Sequence, residues 1–364
     1  MEPQRSSRKH KCNVGKPRIA CLTLCRSIPT RYREVKAAGA HNEPVRIRLA
    51  LAVGLTTVFV MSACSTSQTT VDQLGATSSQ EAVDVPETVF ITSADVPFPA
   101  PAEEAWPNDA AQRIVALATG SGEIITAMGG ASRVVGRDET SSAPELELIP
   151  VVTKAHTVNA EQVIALNPDV VIIDAATSPP EAIQQIRETG ISVIEIPEAW
   201  SSADIPKKVE AIGAAVGAPA DSVLYVVDKS LGATFQDAVT PRVAFLYLRG
   251  TSAIYLLGGL GSGADTLINE SGAVDVGAEA GLDAFTPITA EELVNLNPDT
   301  ILVMKEGLAS VGGADGLFAL PGLAQTEAAQ RRNVVAVDDT LLLSFGPRTG
   351  SLIQSLHEAW RQMN

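Results

Sequence analysis

Two segments of the chain, 130 positions apart, share one pattern of apolar and polar residues. Residues 160–173 read AEQVIALNPDVVII, and residues 290–303 read AEELVNLNPDTILV. In each copy the apolar residues first recur at helical spacing, and Asn-Pro-Asp then ends the helix, because proline disfavours helical backbone at the residue before it. The β-branched apolar run that follows predicts a buried parallel strand. The repeat therefore predicts two related lobes built from one helix–strand unit.

The residues around each copy extend this alternation of strands and helices. Residues 113–118 and 242–247 predict a strand at the start of each lobe, and helices are predicted at 123–128 and 264–269. Residues 254–257 add an extra strand or hairpin to the second lobe. Strands that alternate with helices in this way are typical of an α/β fold.

A periodic segment between the lobes, with Pro219 near its start, predicts one linking helix. A helix of about 20 residues spans about 30 Å, so it would hold the two lobes apart with little hinge motion. The predicted divisions are an N-terminal extension with a lipoprotein signal peptide (1–63), a tether and N-terminal segment with a short strand at 89–91 (64–110), an N-terminal α/β lobe (111–217), a linking helix (218–240) and a C-terminal α/β lobe with a final helix at 349–363 (241–364).

The segment before Cys64 is typical of an export signal. Arg46 and Arg48 precede an apolar run of about a dozen residues, and small residues lead into the cysteine. The run is short for a membrane-spanning helix, which needs about 20 apolar residues. The segment resembles the bacterial lipobox, in which the cysteine is acylated, although Met61 stands where the lipobox prefers leucine. That resemblance implies a lipid anchor at the outer face of the cell membrane; an ordinary signal peptide followed by a free thiol is the alternative.

The charge of the chain changes sharply at this signal. Residues 1–44 are basic and lack periodicity, so we expect translation to start near Val45. Beyond residue 63 there are 15 basic and 39 acidic residues, a net charge of −24. An acidic body of this kind argues against nucleic acid as a partner. Cys64 is the one cysteine after the signal, so the mature chain forms no internal disulfide.

Two side chains with useful ligand chemistry follow predicted strands, where α/β folds bind their ligands. His156 lies in the loop that enters the first repeat helix, and it is either a ligand-binding residue or a solvated or structural one. Tyr247 ends a predicted strand, and Arg249 points the same way two residues later. A neighbouring guanidinium favours a phenolate, which suits ferric haem. The alternative is a tyrosine at the end of a core strand, with the arginine paired to a surface carboxylate.

Several motifs together resemble the substrate-binding proteins of ABC importers for vitamin B12, ferric siderophores and haem. They are the segment 121–129, the two Glu-x-x-x-x-Leu-Asn-Pro-Asp copies and Gly346-Pro-Arg348. The resemblance covers roughly residues 111–364. It implies the class III periplasmic-binding-protein fold, in which a single long helix joins two Rossmann-like α/β lobes. It also implies a monomer that binds a ligand and is not an enzyme.

Together, His156 and Tyr247 make the chain similar to the haemin-binding lipoproteins of the HmuT type, in which a histidine and a tyrosine bind opposite faces of the iron. The resemblance implies that haem is the transported ligand, with His156 and Tyr247 as iron ligands. Arg249 would then support the tyrosinate. Tyr255 could be a pocket wall or an alternative ligand. Lys154 and Arg137 are weaker candidates to bind the haem propionates, and both could instead be ordinary surface charges.

In relatives of this family, one glutamate per lobe docks into arginine pockets of the membrane permease. The matching positions here are Glu161 and Glu291, and Glu292 could share the role. Complementary charge of this kind sets register more than raw affinity. Each glutamate could also simply favour the first turn of its helix.

Other ligands and other classes remain open at this point. A ferric-siderophore or vitamin B12 receptor would share the whole fold. A bare zinc or manganese importer would need about three or four histidine or carboxylate ligands, and one histidine is well placed. Residues 259–264 loosely fit a dinucleotide-binding loop, but the preceding strand and the following acid are unconvincing, so an exported enzyme has weak support. A purely adhesive domain would leave the two permease-type glutamates unexplained.

Overall fold

The computed structural model of the protein describes residues 88–154, 156–232, 235, 240–250 and 255–363. The predicted export signal, Cys64, the start near Val45 and most of the predicted tether lie outside these residues. Among the helices that are described, none has the length and apolar character needed to cross a membrane.

Short strands and helices alternate along the described chain. The strands are β1 (Val89–Ile91), β2 (Ile114–Ala116), β3 (Val134–Arg137), β4 (Thr153–Lys154), β5 (Thr157–Val158), β6 (Val170–Ile173), β7 (Ser192–Glu195), β8 (Arg242–Tyr247), β9 (Leu256–Leu257), β10 (Val274–Asp275), β11 (Thr286–Pro287), β12 (Thr300–Met304) and β13 (Val334–Val337). The helices are α1 (Ser121–Ala127), α2 (Ala160–Ala165), α3 (Pro180–Glu188), α4 (Ile205–Val216), α5 (Asp221–Leu231), α6 (Ala264–Glu270), α7 (Val276–Glu279), α8 (Ala290–Leu296), α9 (Lys305–Ser310), α10 (Gly313–Phe318), α11 (Glu327–Arg331), α12 (Asp339–Leu342) and α13 (Thr349–Met363).

Each lobe is built on a parallel sheet. In the N-terminal lobe the strand order is β3-β2-β6-β7, and all neighbours are parallel. In the C-terminal lobe β10, β8, β12 and β13 are parallel and lie in the same relative order. The repeat helices α2 and α8 lead into the matching strands β6 and β12. The predicted α/β fold and its duplication are therefore confirmed.

The C-terminal sheet carries strands that the N-terminal sheet lacks. Strand β9 pairs antiparallel with both β8 and β11, which confirms the extra hairpin predicted near 254–257. Strand β1 pairs parallel with β13, with Val89 opposite Val335. The short strand at 89–91 is thus confirmed, but it belongs to the C-terminal sheet and not to a separate N-terminal segment. Its partner lies more than 240 residues away in sequence, so local patterning gives no sign of the pairing.

The described part of the linking segment is shorter than the predicted helix. Helix α5 has 11 residues, which corresponds to about 16 Å at the usual helical rise. It packs against α4 and α13. Residues 233–234 and 236–239 lie outside the description, so a linking helix of about 20 residues stays a prediction. Helix α13 packs back on the body as expected, against α5 and α6.

A buried ion pair joins helix α1 of the N-terminal lobe to the segment just before helix α13 of the C-terminal lobe. Arg348, just before α13, donates through Nε and Nη2 to the carboxylate of Glu123 on α1, and the two side chains are 4% and 1% exposed. Nη2 also donates to Ser142 Oγ at 2.8 Å. Because both charges are satisfied by hydrogen bonds, their burial is tolerated, whereas removing one partner would leave a buried charge uncompensated.

Candidate functional site

A cavity of about 750 Å³ lies between the two lobes. Its lining residues stand at the carboxyl ends of parallel strands, where α/β folds bind their ligands. Asp174 directly follows β6 and Ile196 directly follows β7, while Tyr247 and Met304 are the last residues of β8 and β12. The carboxyl-terminal edges of both sheets therefore face the same cavity.

His156 reaches this cavity from a tight hairpin of the N-terminal lobe. Strands β4 and β5 pair antiparallel, with Lys154 opposite Thr157, and His156 lies in the turn between them. His156 adopts a left-handed backbone with φ 64°, a conformation that histidine takes more readily than most residues. Its carbonyl oxygen accepts a hydrogen bond from the backbone N–H of Ser178 at 3.0 Å. The side chain is exposed and lines the cavity.

Tyr247 reaches the same cavity from a central strand of the C-terminal lobe. Arg249 Nε donates to its phenol oxygen at 2.8 Å, and Nη2 donates to the same oxygen. The guanidinium also lies 5.1 Å from the centre of the tyrosine ring. Phe285 packs edge-on against the ring at 5.7 Å. Two N–H groups of one guanidinium thus hold the phenol oxygen in place at the cavity, and a tyrosine oxygen is an established type of ligand for haem iron.

The structure thus brings His156, Tyr247 and Arg249 to one site, but three other expected site residues lie elsewhere. Tyr255 is 3% exposed within the C-terminal core. Its hydroxyl donates to the carbonyl oxygen of Pro321 at 2.6 Å, and burial raises the pKa of the phenol. The expectation that Tyr255 walls the pocket is therefore wrong, because its ring completes the hydrophobic core.

The two cations expected near the haem propionates do not line the cavity either. Arg137 donates to the carbonyl oxygens of Leu146 at 3.0 Å and Ser141 at 2.9 Å, so its guanidinium holds a loop in place. Lys154 lines a separate surface pocket together with Glu161. The prediction is wrong for both residues, since sequence proximity to a candidate ligand did not fix the direction of these side chains.

The two glutamates expected to dock on a permease occupy equivalent places. Glu161 and Glu291 are each the second residue of a repeat helix, α2 and α8, and each is exposed. Glu292 has a different role, because its carboxylate accepts from the backbone N–H of Thr289 at 2.8 Å in a capping box. Those hydrogen bonds lower the pKa of Glu292. Of these three glutamates, Glu161 in one lobe and Glu291 in the other are therefore the ones available for an intermolecular contact.

Sequence reasoning missed Lys208, a buried cation at the cavity. The side chain is 3% exposed, and Nζ donates to the carbonyl oxygen of Ser344 at 2.7 Å. Burial lowers the pKa of Lys208 to about 8, an effect that nearby carboxylates oppose. One signal was available, because position 208 falls on the face of α4 that also carries Ile205 and Ile212. A lysine on an apolar helix face is a candidate for a buried functional charge.

Aromatic and acidic side chains from loops complete the cavity lining. Trp200 is exposed at the cavity, and its Nε1 donates to Glu198 Oε2 at 3.0 Å. Phe285, which contacts Tyr247, has a positive φ of 55°, a strained conformation for a bulky residue. No sequence periodicity marks either loop residue. Within the described ranges, no group of three or more histidine, cysteine, aspartate or glutamate side chains is arranged to hold a metal ion.

Known proteins share both the sequence pattern and the fold. The sequence model of the family described as "Periplasmic binding protein" matches residues 114–341, more than half of the chain. The periplasmic heme-binding protein RhuT from Roseiflexus sp. RS-1, in apo form, is 34% identical with a TM-score of 0.65, covering 70% of this chain and 99% of RhuT. The heme-binding protein HmuT is 33% identical with a TM-score of 0.65, covering 76% and 97%. YvrC of Bacillus subtilis strain 168, an uncharacterized ABC transporter substrate-binding lipoprotein, is 29% identical over 260 residues, which are 68% of this chain and 79% of YvrC.

Proposed function

The chain belongs to the periplasmic binding protein family, and from this premise we propose that it binds haem outside the cytoplasm and delivers it to the permease of an ABC importer. The observation that carries the proposal is the shared cavity of His156 and Tyr247, one side chain from each lobe. Imidazole and tyrosinate are both established types of haem-iron ligand.

The solved relatives support this choice of ligand. RhuT and HmuT are described as heme-binding proteins. Among the HmuT structures are variants with alanine in place of a histidine, a tyrosine and an arginine, and the tyrosine and arginine positions are two apart. Tyr247 and Arg249 have the same spacing here.

In the proposed complex, each cavity residue has a distinct task. Tyr247 supplies its phenol oxygen to ferric iron, and the hydrogen bonds from Arg249 orient that oxygen. His156 supplies a neutral nitrogen from the other lobe. Because the two ligands come from different lobes, bound haem would bridge the lobes.

We further propose that Glu161 and Glu291 dock the loaded protein on the permease, with one carboxylate reporting the position of each lobe. Acylation of Cys64 would tether the monomer to the outer face of the membrane. Loss of haem-dependent growth in a Glu161→Ala/Glu291→Ala double variant that still binds haemin would support the docking role, and unchanged growth would contradict it.

An absorption titration with haemin tests the central proposal. The wild-type protein should give a shifted Soret band that saturates at a defined stoichiometry, and His156→Ala and Tyr247→Ala should each alter the band. Tyr225→Ala removes an exposed tyrosine from α5 and should behave as wild type. If the wild type binds cobalamin or a ferric siderophore but not haemin, the receptor belongs to one of those classes.

A further inference from the structure

The deepest part of the cavity carries a cation that the proposed iron ligands do not use. We call the buried region around Lys208, Asp174 and Ser344 the cavity floor; these three residues are 3%, 5% and 6% exposed. Lys208 Nζ donates to the carbonyl oxygens of Ser344 at 2.7 Å and Phe345 at 3.3 Å. An ammonium has three N–H donors, so one remains for an acceptor in the cavity.

The carboxylates near Lys208 are already engaged by other donors. Asp174 Oδ2 accepts from the backbone N–H of Thr119 at 2.8 Å, and Asp174 Oδ1 accepts from Thr177 Oγ1 at 2.7 Å. Glu123 is taken by its ion pair across the lobes. Across the described ranges of the chain, the salt bridges involve other residues and not Lys208. The ammonium is therefore a cation of the cavity lining that has two carbonyl partners and one N–H that neither carbonyl takes.

The charges around the floor restrict which anion can reach it. Glu139, Glu198, Glu306 and Asp339 also line the cavity and are more exposed than the floor. A small free anion gains nothing from passing these carboxylates, since like charges repel. A carboxylate attached to a large apolar ring system is different, because burial of the ring supplies the driving force for entry. The cavity therefore favours a largely apolar ligand that carries a carboxylate.

We propose that Lys208 binds a carboxylate of the transported ligand at the cavity floor, which for haem is a propionate. This inference rests on the proposed function and adds the orientation of the ligand. The charged hydrogen bond forms away from water, where it is strong, and it determines which edge of the ring enters first. The axial ligands alone cannot determine this edge, because rotation about the iron leaves their bonds unchanged.

Haemin and haemin dimethyl ester provide the test, since the ester lacks the propionate charges but keeps the iron and the ring. Soret titrations of the wild type should show a preference for haemin of about 10- to 100-fold, the range expected for a hydrogen bond to a charged group. Lys208→Met should bind the two porphyrins about equally. Lys207→Met removes the adjacent exposed lysine of α4 and should keep the wild-type preference.

The outcomes separate this inference from the proposed function. If the wild type binds neither porphyrin, haem binding itself is wrong. If the wild type binds both equally, or if Lys208→Met keeps the preference for haemin, the role of Lys208 is wrong while haem binding stands. Lys208→Gln, which keeps an N–H donor without the charge, serves as the second variant where circular dichroism shows that Lys208→Met does not fold. A preference for haemin that Lys208→Gln retains would also overturn the proposal.

Discussion

The two lobes share a parallel core but present their candidate iron ligands in different ways. His156 lies in the turn between β4 and β5, and its side chain is exposed. Tyr247 ends the central strand β8, where Phe285 packs against its ring and Arg249 donates to its oxygen. Within the described part of the chain, the contacts that hold the N-terminal ligand are hydrogen bonds to its backbone carbonyl, whereas the side chain of the C-terminal ligand has contacts on several sides.

The difference follows from the strands that flank the first strand of each core. In the N-terminal lobe β3 runs beside the whole of β2. In the C-terminal lobe β10 pairs with only Arg242 and Val243, and the last two residues of β8 pair with β9 instead. Strand β9 in turn pairs with β11, which begins just after Phe285. The inserted hairpin therefore places Phe285 against the ring of Tyr247. The N-terminal lobe has no matching hairpin among its described residues, so the surroundings of His156 and Tyr247 differ although the two lobes share one core.

The largest expected effect comes from removing the buried ion pair between the two lobes. Arg348→Met leaves the carboxylate of Glu123 buried without its cation, which should lower the free energy of unfolding by about 3–5 kcal/mol. Denaturant melts at pH 7 would measure the loss. Arg331→Met, which removes an exposed i,i+4 partner of Glu327, should cost less than about 1 kcal/mol. Equal losses for the two variants would contradict the stabilising role of the buried pair.

Because Tyr247 is held by neighbouring side chains and His156 is exposed, replacing each residue should reduce haemin affinity by a different amount. Tyr247→Phe removes the anionic, supported ligand and should weaken haemin binding by about 100-fold or more, because a charged, desolvated interaction is lost. His156→Asn should weaken binding less, and it should leave stability within about 0.5 kcal/mol, because asparagine tolerates the left-handed turn. Soret titrations and thermal melts measure both quantities. A larger affinity loss for His156→Asn would reverse the comparison.

Support for the tyrosine should itself be measurable. Arg249→Met removes both donors to the phenol oxygen and should weaken haemin binding by about 10- to 100-fold, the usual range for a group that orients an iron ligand. Arg242→Met, on the same strand but paired with Glu279 at the surface, is the control. Wild-type affinity in Arg249→Met would mean that the contact is only packing.

The smallest expected effect compares two buried acids that end matching strands. Burial raises the pKa of Asp138 after β3 and of Asp275 in β10 to about 6 each. Such groups stabilise the fold at pH values below their ordinary pKa, and that contribution is lost as pH rises through 6. Asp275→Asn removes the buried charge but keeps an oxygen that accepts from the N–H groups of Gly277 and Ala278. At about pH 7–8 the variant should therefore have a higher melting temperature than the wild type, corresponding to a gain of about 1–3 kcal/mol in the free energy of unfolding.

The gain from Asp275→Asn should vanish as the pH falls below the ordinary aspartate pKa of 3.8, because the wild-type carboxyl is then protonated in both states. Asp138→Asn should gain less, because both Asp138 oxygens accept hydrogen bonds from the hydroxyls of Thr140 and Ser141. Melting curves from about pH 3 to about pH 8 test the pair. A destabilised Asp275→Asn at pH 8 would contradict the effect of burial on that carboxyl.

The elements that the sequence predicts well are those governed by local patterning. The repeated Asn-Pro-Asp stops, the buried runs and the final helix lie where spacing and proline geometry require them. His156 and Tyr247 were also found from the sequence as candidates, Tyr247 because it ends a predicted strand and His156 because it lies in the loop that enters the first repeat helix. The iron-ligand roles themselves stay a prediction.

The features that the sequence does not predict depend on contacts between distant residues. The pairing of β1 with β13 and the burial of Lys208 against Ser344 join parts of the chain that no local window contains. The directions of Arg137 and Tyr255 depend on which carbonyl lies nearest in the folded chain. Residues of this kind are found only when the lobes are assembled.

Resonance Raman spectroscopy of the ferric haemin complex tests the shared iron site most directly. Excitation into the phenolate-to-iron charge-transfer band of the wild type should give an iron–phenolate stretching band, which His156→Asn should retain and Tyr247→Phe should lose. The coordination markers should change from six-coordinate in the wild type to five-coordinate in each single variant. A wild-type complex without the phenolate band, or a Tyr247→Phe complex that still shows it, would contradict the assignment of the two ligands.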